Sequence, residues 1–186
     1  MSQVSAAGGD TAIIPAPFSN SLVSDSSSNR AQLLIGTAEG SHSEAPLWTQ
    51  PIPTGSARRV GDIATAGAAT WSPDGQSLLF SKPGVLCIAQ ADGTDARTLT
   101  RVTGTPPFAE FSPDGRQIRF TNFEKETSTS LIWEVQADGT RPHKLWPRCC
   151  GRWSADGRYY FDVMLSSSGV DIFAAAEDRG LFRRSE

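Results

Sequence analysis

Apolar residues in this chain recur as short runs, each bounded by a polar turn. Leu78-Leu79-Phe80, Ile118-Arg119-Phe120 and Tyr159-Tyr160-Phe161 form one set, and Val85-Leu86-Cys87-Ile88 and Leu131-Ile132-Trp133 form a second. Runs of this length between turn signals predict strands. The turns themselves repeat. Trp71-Ser72-Pro73-Asp74-Gly75 returns as Phe111-Ser112-Pro113-Asp114-Gly115 and as Trp153-Ser154-Ala155-Asp156-Gly157, with the leading aromatics 40 and 42 positions apart. The second set of runs ends in Ala91-Asp92-Gly93-Thr94 and Ala137-Asp138-Gly139-Thr140.

Each copy reads as a hairpin tip. Proline at the second turn position presets φ, aspartate bonds back to its own backbone, and glycine supplies the left-handed residue from which the next strand leaves. Two hairpins in about 40 residues make a four-stranded antiparallel meander, and a series of these is the signature of propeller blades. The fold class expected is all-β: a partial β-propeller of about four blades, an open arc rather than a closed ring.

The aromatic-Ser-Pro-Asp-Gly tip, the strand after it, the Ala-Asp-Gly-Thr tip and the closing Arg97-Thr98-Leu99-Thr100 together resemble the TolB-like β-propeller repeat. The resemblance covers nearly the whole chain and implies a fold more than a function, since propellers carry many unrelated activities. The segment Cys149-Cys150-Gly151-Arg152-Trp153 also resembles propeller regions of large bacterial proteins that carry a winged-helix or protein-kinase domain elsewhere.

Aligning the copies divides the chain. Residues 1–15 read as the outer hairpin of an incomplete blade, 16–66 as a degenerate blade with Ser27-Ser28-Asn29-Arg30 at its tip, 67–104 and 105–148 as two clear blades, and 149–186 as a blade lacking its last strand. Strands are expected as two, then three sets of four, then three. Small residues, Ala69, Ala109 and Gly151, stand two places before each first-strand aromatic, where inner strands crowd the axis. Trp71, Phe111 and Trp153 are expected to fill the wedges between blades, with Pro73, Asp74, Gly75, Pro113, Asp114, Gly115, Asp156 and Gly157 shaping the tips. Cys87 is expected to be a small buried apolar residue. Asp162 stands where Phe80 and Phe120 face the core, so either its strand is irregular or it meets a donor.

Composition removes several classes of function. Net charge is −3 and the sequence pI is about 5.4, without the basic footprint that direct nucleic-acid binding requires. The start Met1-Ser2-Gln3-Val4-Ser5 has no cationic and apolar leader pattern, and no run has the length of a membrane span. The default address is the cytoplasm; if the chain is a fragment, the periplasm or another extracytoplasmic place is open. Three cysteines, Cys87, Cys149 and Cys150, make neither a disulfide framework nor a zinc set.

No catalytic constellation or cofactor motif stands out, and the tip aspartates read as turn formers rather than calcium ligands. Recognition is expected on the face of irregular connections, with Asn122, Glu124, Lys125, Arg148, Cys149 and Cys150 as candidate binding residues. The expected function is a non-enzymatic scaffold that binds a protein, a peptide or a small ligand, as the sensing or interaction part of a longer regulatory protein. Two other readings follow from the resemblance: the gating propeller of a prolyl-oligopeptidase-like serine hydrolase, and a TolB-type periplasmic scaffold. Bare strand edges at the ends of an open arc also predict self-association.

Overall fold

A computed structural model gives the fold and describes residues 2–3, 12–14, 18–37, 44–124, 127–166 and 169–177. The described residues form 17 strands and no helix. β1 (Ser2–Gln3) and β2 (Ala12–Ile13) pair with each other. The first blade comprises β3 (Ser21–Ser26), β4 (Gln32–Thr37), β5 (Ala45–Pro51) and β6 (Arg58–Thr65). The second holds β7 (Ala69–Trp71), β8 (Ser77–Lys82), β9 (Val85–Gln90) and β10 (Arg97–Arg101). The third holds β11 (Ala109–Phe111), β12 (Gln117–Glu124), β13 (Thr129–Gln136) and β14 (His143–Trp146). The fourth has three strands, β15 (Cys149–Trp153), β16 (Tyr159–Ser166) and β17 (Gly169–Ala176). Every sheet is an antiparallel meander in sequence order, so the chain is a four-blade propeller arc.

The tips show why the repeat holds this shape. In the second blade Gly75 N–H donates to Ser72 C=O at 2.8 Å, while Asp74 Oδ1 accepts from Ser72 Oγ at 2.5 Å and from Gln76 N–H at 3.0 Å. Gly75, Gly115 and Gly157 have φ of 72°, 72° and 68°, the left-handed region that the turn requires. The degenerate tip keeps the same bonds with other residues. Ser27 Oγ donates to Asn29 Oδ1 at 2.8 Å, and Arg30 takes the glycine position at φ 56°.

Hydrophobic cores lie between blades. Leu34, Leu47, Val60 and Ile63 of the first blade pack against Ala69, Leu78, Phe80 and Cys87 of the second. Leu79, Leu86 and Leu99 of the second meet Phe111, Ile118, Phe120 and Val135 of the third. Backbones also approach closely at the Ala-Asp-Gly-Thr tips. A Cβ on Gly93 would lie 2.9 Å from the Val60 carbonyl, and one on Gly139 would lie 2.6 Å from Leu99 O. These glycines, φ 92° and 90°, serve both the turn and the contact with the preceding blade's outer strand.

The third interface is polar at its centre. Arg119, 5% exposed, donates from Nε to Glu134 Oε2 at 2.9 Å and pairs with both oxygens of Glu177. Its guanidinium carbon lies 4.2 Å from the Trp153 ring centroid and 4.5 Å from that of Tyr160. Burying a cation this deeply is tolerable because two carboxylates and the negative faces of two rings surround it. Tyr160 in turn leaves no space at Gly151, where a Cβ would sit 2.2 Å from the phenol oxygen. The far side of the fourth blade is bare: Phe161, Val170 and Ile172 are exposed, Ile172 by 76%.

Candidate functional site

The innermost strands of all four blades converge on a central cavity of about 270 Å³ on the face of irregular connections. Its wall includes Leu22 and Val23 of β3, Ala69 of β7, Phe108 and Ala109 at the start of β11, and Arg152 of β15. Leu22, Val23 and Phe108 are large apolar side chains left exposed. The rim is tied down by hydrogen bonds. Ala68 N–H and Ser81 Oγ both donate to Pro106 C=O, at 3.1 and 2.9 Å, and Thr121 N–H donates to Phe108 C=O at 2.9 Å. Thr65 Oγ1 donates to Ala68 and Ser81 carbonyls. A cavity with a fixed rim is a preformed site.

Two carboxylates fasten neighbouring inner strands beside it. Asp25 Oδ2 accepts from Thr70 Oγ1 at 2.6 Å and from Trp71 N–H at 2.9 Å. Glu110 Oε1 accepts from Trp153 N–H at 2.6 Å, and its other oxygen meets Arg152 at 3.3 Å. Asp25, Thr70, Glu110 and Arg152 occupy one register position in successive blades, one residue before the wedge position. Burial raises the Glu110 carboxyl above its ordinary value, against the Trp153 N–H bond and Arg152, which lower it. Arg152 keeps an exposed guanidinium at the cavity wall.

The candidate residues named from the sequence are dispersed and mostly engaged. Asn122 is buried and its Oδ1 accepts from Thr103 N–H at 3.1 Å, holding the 101–107 connection. Glu124 pairs with Lys144. Arg148 pairs with Asp162 at 3.1 Å and lies 3.6 Å from the Phe173 ring centroid. Asp162 is fully buried and also accepts from the Trp146 indole, so it is a core acid with two donors; its pairing with β17 is regular, and its pairing with β15 is bulged opposite it, between Cys149 and Arg152. Cys149 is buried; Cys150 is half-buried, with φ 61° and its N–H on Thr121 Oγ1 at 3.1 Å. Both are free thiols, their sulfurs 2.8 Å apart, and burial with the Cys149 contact pushes the Cys150 thiol up to about 12. Lys125 lies outside the described residues.

Sequence reasoning missed Leu22, Val23, Phe108, Glu110 and Arg152 as a group. The available signal was an acid, or its partner, directly before the wedge aromatic, as in Glu110-Phe111 and Arg152-Trp153. Among the described residues no group of three or more His, Cys, Asp and Glu side chains could hold a metal ion, and no helix is long and apolar enough to cross a membrane.

No family model matches the chain. A relative, the uncharacterized protein Atu1656 of Agrobacterium fabrum, is 31% identical over 114 residues, 58% of this chain and 38% of the relative. The chain thus spans well under half of that protein. TolB from Acinetobacter baumannii is similar in structure, with a TM-score of 0.69 and 18% identity over 87% of this chain and 42% of TolB. A chain of the nidogen/laminin complex gives 0.64 and 14%, covering 80% of this chain and 58% of its own. The β-propeller domain of the Trilobed protease from Pyrococcus furiosus gives 0.53 and 12%, covering 83% and 53%. At these identities the likeness is one of fold: the structural neighbours are TolB-like and other β-propellers.

Proposed function

We propose that this chain is a non-catalytic recognition scaffold, the interaction part of a longer regulatory protein, and that it takes a peptide or another protein's segment at the central cavity. The observation that carries this reading is the cavity itself, preformed and walled by four inner strands, with exposed Leu22, Val23 and Phe108 beside the Arg152 guanidinium. Apolar side chains of a ligand would fill it, and a carboxylate would meet Arg152. The similarity to a chain from a protein–protein complex supports a protein partner. Placing a photocrosslinking residue at Phe108 in the native host tests the reading. Recovery of a discrete polypeptide at Phe108, and not at the Asp138 tip, is the supporting result.

A second reading, the gating propeller of a prolyl-oligopeptidase-like hydrolase, draws support from the likeness to the Trilobed protease propeller. There the cavity would be a passage, and a G-x-S-x-G elbow encoded in the same reading frame would favour it. A TolB-type periplasmic scaffold would instead show a secretion leader in that frame.

A further inference from the structure

The fourth blade opens on two adjacent thiols in an arrangement that the blade itself does not require. Neighbouring side chains of a regular strand leave on opposite faces of the sheet, yet the Cys149 and Cys150 sulfurs lie 2.8 Å apart. Cys150 has φ 61°, a left-handed backbone that non-glycine residues rarely adopt, and β15 is bulged against β16 over the same stretch, between Cys149 and Arg152. Counted back from the wedge aromatic, Gly67-Ala68 and Pro107-Phe108 hold these two places in the second and third blades. Neither Ala68 nor Phe108 has a positive φ. The departure therefore belongs to the cysteine pair, and an unfavourable backbone kept at one place in a repeat points to a function there.

The pair is clamped from both sides. Arg148, before it, pairs with Asp162 at 3.1 Å, and Gly151, after it, lies so close to Tyr160 that no Cβ fits. The Cys150 N–H donates to Thr121 Oγ1 at 3.1 Å, and Thr121 is buried. Joining the two sulfurs thus takes a short approach and little loss of freedom, the condition that favours an intramolecular step. Cys149 is buried and Cys150 half-buried, so a small oxidant reaches the pair through Cys150. Cys87 is buried in a different place, the core between the first and second blades. We propose that Cys149 and Cys150 form a reversible vicinal disulfide, a redox modification site driven by small-molecule disulfides of the glutathione class. The Cys150 sulfur attacks the oxidant's disulfide and keeps one half of it, while the other half leaves as a thiol with the Cys150 proton. The Cys149 sulfur then attacks that of Cys150, and the second half leaves as a thiol with the Cys149 proton. One S–S bond forms in the protein, one is lost from the oxidant, and two electrons pass from the cysteine pair to the oxidant. Adjacent Cα atoms are about 3.8 Å apart, below the roughly 4.4–6.8 Å of an ordinary bridge, so this bond is of the easily reduced kind that switches rather than staples.

The site goes beyond the recognition proposed at the central cavity, and its test involves no ligand of that cavity. The full chain, first reduced, is equilibrated without air in stepped ratios of oxidised to reduced glutathione. Hours are allowed, because burial and the Cys149 contact push the Cys150 thiol up to about 12 and slow the exchange. Samples are quenched in acid, alkylated in denaturant and cut with trypsin, which releases residues 149–152 as one peptide for mass spectrometry. The expected result is a peptide lighter by two hydrogens and without the alkyl label, while Cys87 stays labelled and dithiothreitol restores both thiols. Half-conversion in the folded chain comes at a glutathione ratio at least about tenfold less oxidising than for the same chain in urea. Cys149→Ser and Cys150→Ser each abolish the bridge, and Cys87→Ser leaves its midpoint unchanged, while thermal melts show each variant folded. A pair that stays labelled at every ratio overturns the proposal, as does one that stops at a glutathione adduct or bonds to Cys87 or to a second chain. So does a bridge that forms no more readily in the folded chain than in urea.

Discussion

Replacing Gly139 by alanine tests whether the second-tip glycines are kept for the turn or for the contact between blades. A comparison with Gly75→Ala separates the two. Gly75 has φ 72° and nothing within 4 Å of a Cβ, so alanine there meets only the left-handed penalty. That penalty is about 1–2 kcal/mol, and the lower entropy of the unfolded alanine chain returns about 0.4–1 kcal/mol. The net cost is about 1 kcal/mol. Gly139, at φ 90°, carries the same penalty and would also place a Cβ 2.6 Å from Leu99 O and 3.2 Å from Leu99 Cδ1. A relaxed C···O contact lies near about 3.3 Å, and the Leu99 carbonyl, although β10 is an edge strand bulged at that residue, belongs to the backbone and moves only with its strand, not as a side chain does. The outer strand of the second blade must therefore move from the third blade's tip, an overpacking cost of about 1–3 kcal/mol. The sum for Gly139→Ala is about 2–4 kcal/mol. At about 2–4 °C per kcal/mol for a chain of this size, Gly75→Ala lowers Tm by roughly 2–4 °C and Gly139→Ala by roughly 5–15 °C. Differential scanning calorimetry reads both, with Gly93→Ala, facing the Val60 carbonyl, as an independent copy of the second case. Equal Tm losses for Gly75→Ala and Gly139→Ala would refute the argument, because the turn would then be the whole reason for glycine.

Arg119→Ala leaves buried Glu134 without its main partner and is expected to cost about 3–5 kcal/mol in urea unfolding; adding Glu134→Leu should recover part of that, and a loss below about 1 kcal/mol would show the cluster to be incidental. Arg30→Gly removes a left-handed non-glycine residue from an exposed tip and should raise Tm by roughly 1–4 °C, with an unchanged or lower Tm counting against the strain. Asp74, Asp92, Asp138 and Asp156 all have carboxyls lowered, first by a side-chain hydroxyl of their own turns. Their contribution is complete above the unfolded value near about pH 4 and is lost as pH falls through the folded values, so Tm should drop on the acid side of about pH 4 and the fourfold Asp→Asn variant should show a flatter profile. Glu110, raised by burial, acts in the opposite sense and in a higher window: its gain is taken up as pH falls from the folded value to the unfolded value of about 4.5, before the aspartate drop begins. With its thiol pushed up to about 12, Cys150 should be alkylated by iodoacetamide at pH 8 roughly a hundredfold more slowly than an ordinary thiol, the loss of thiolate outweighing the greater nucleophilicity of a more basic sulfur; mass spectrometry showing parity would refute this.

The sequence by itself determined the blades. The tips are local devices: Ser72, Asp74 and Gly75 close their hydrogen bonds within a few residues, so the pattern Ser-Pro-Asp-Gly carries its own geometry wherever it recurs. Ser27-Ser28-Asn29-Arg30 was legible for the same reason, since serine and asparagine offer the same donor and acceptor. The apolar run after each tip likewise announced which side chains pack between blades, and Phe80, Phe120 and Ile118 do so. What joins one blade to the next was decided only in the tertiary structure. Arg119 and Glu177 are 58 positions apart, and Glu110 and Trp153 are 43 apart. Nothing near either partner encodes the other, because their meeting depends on how two finished sheets dock. The same holds for the central cavity: Leu22, Phe108 and Arg152 look like ordinary strand residues until four inner strands converge.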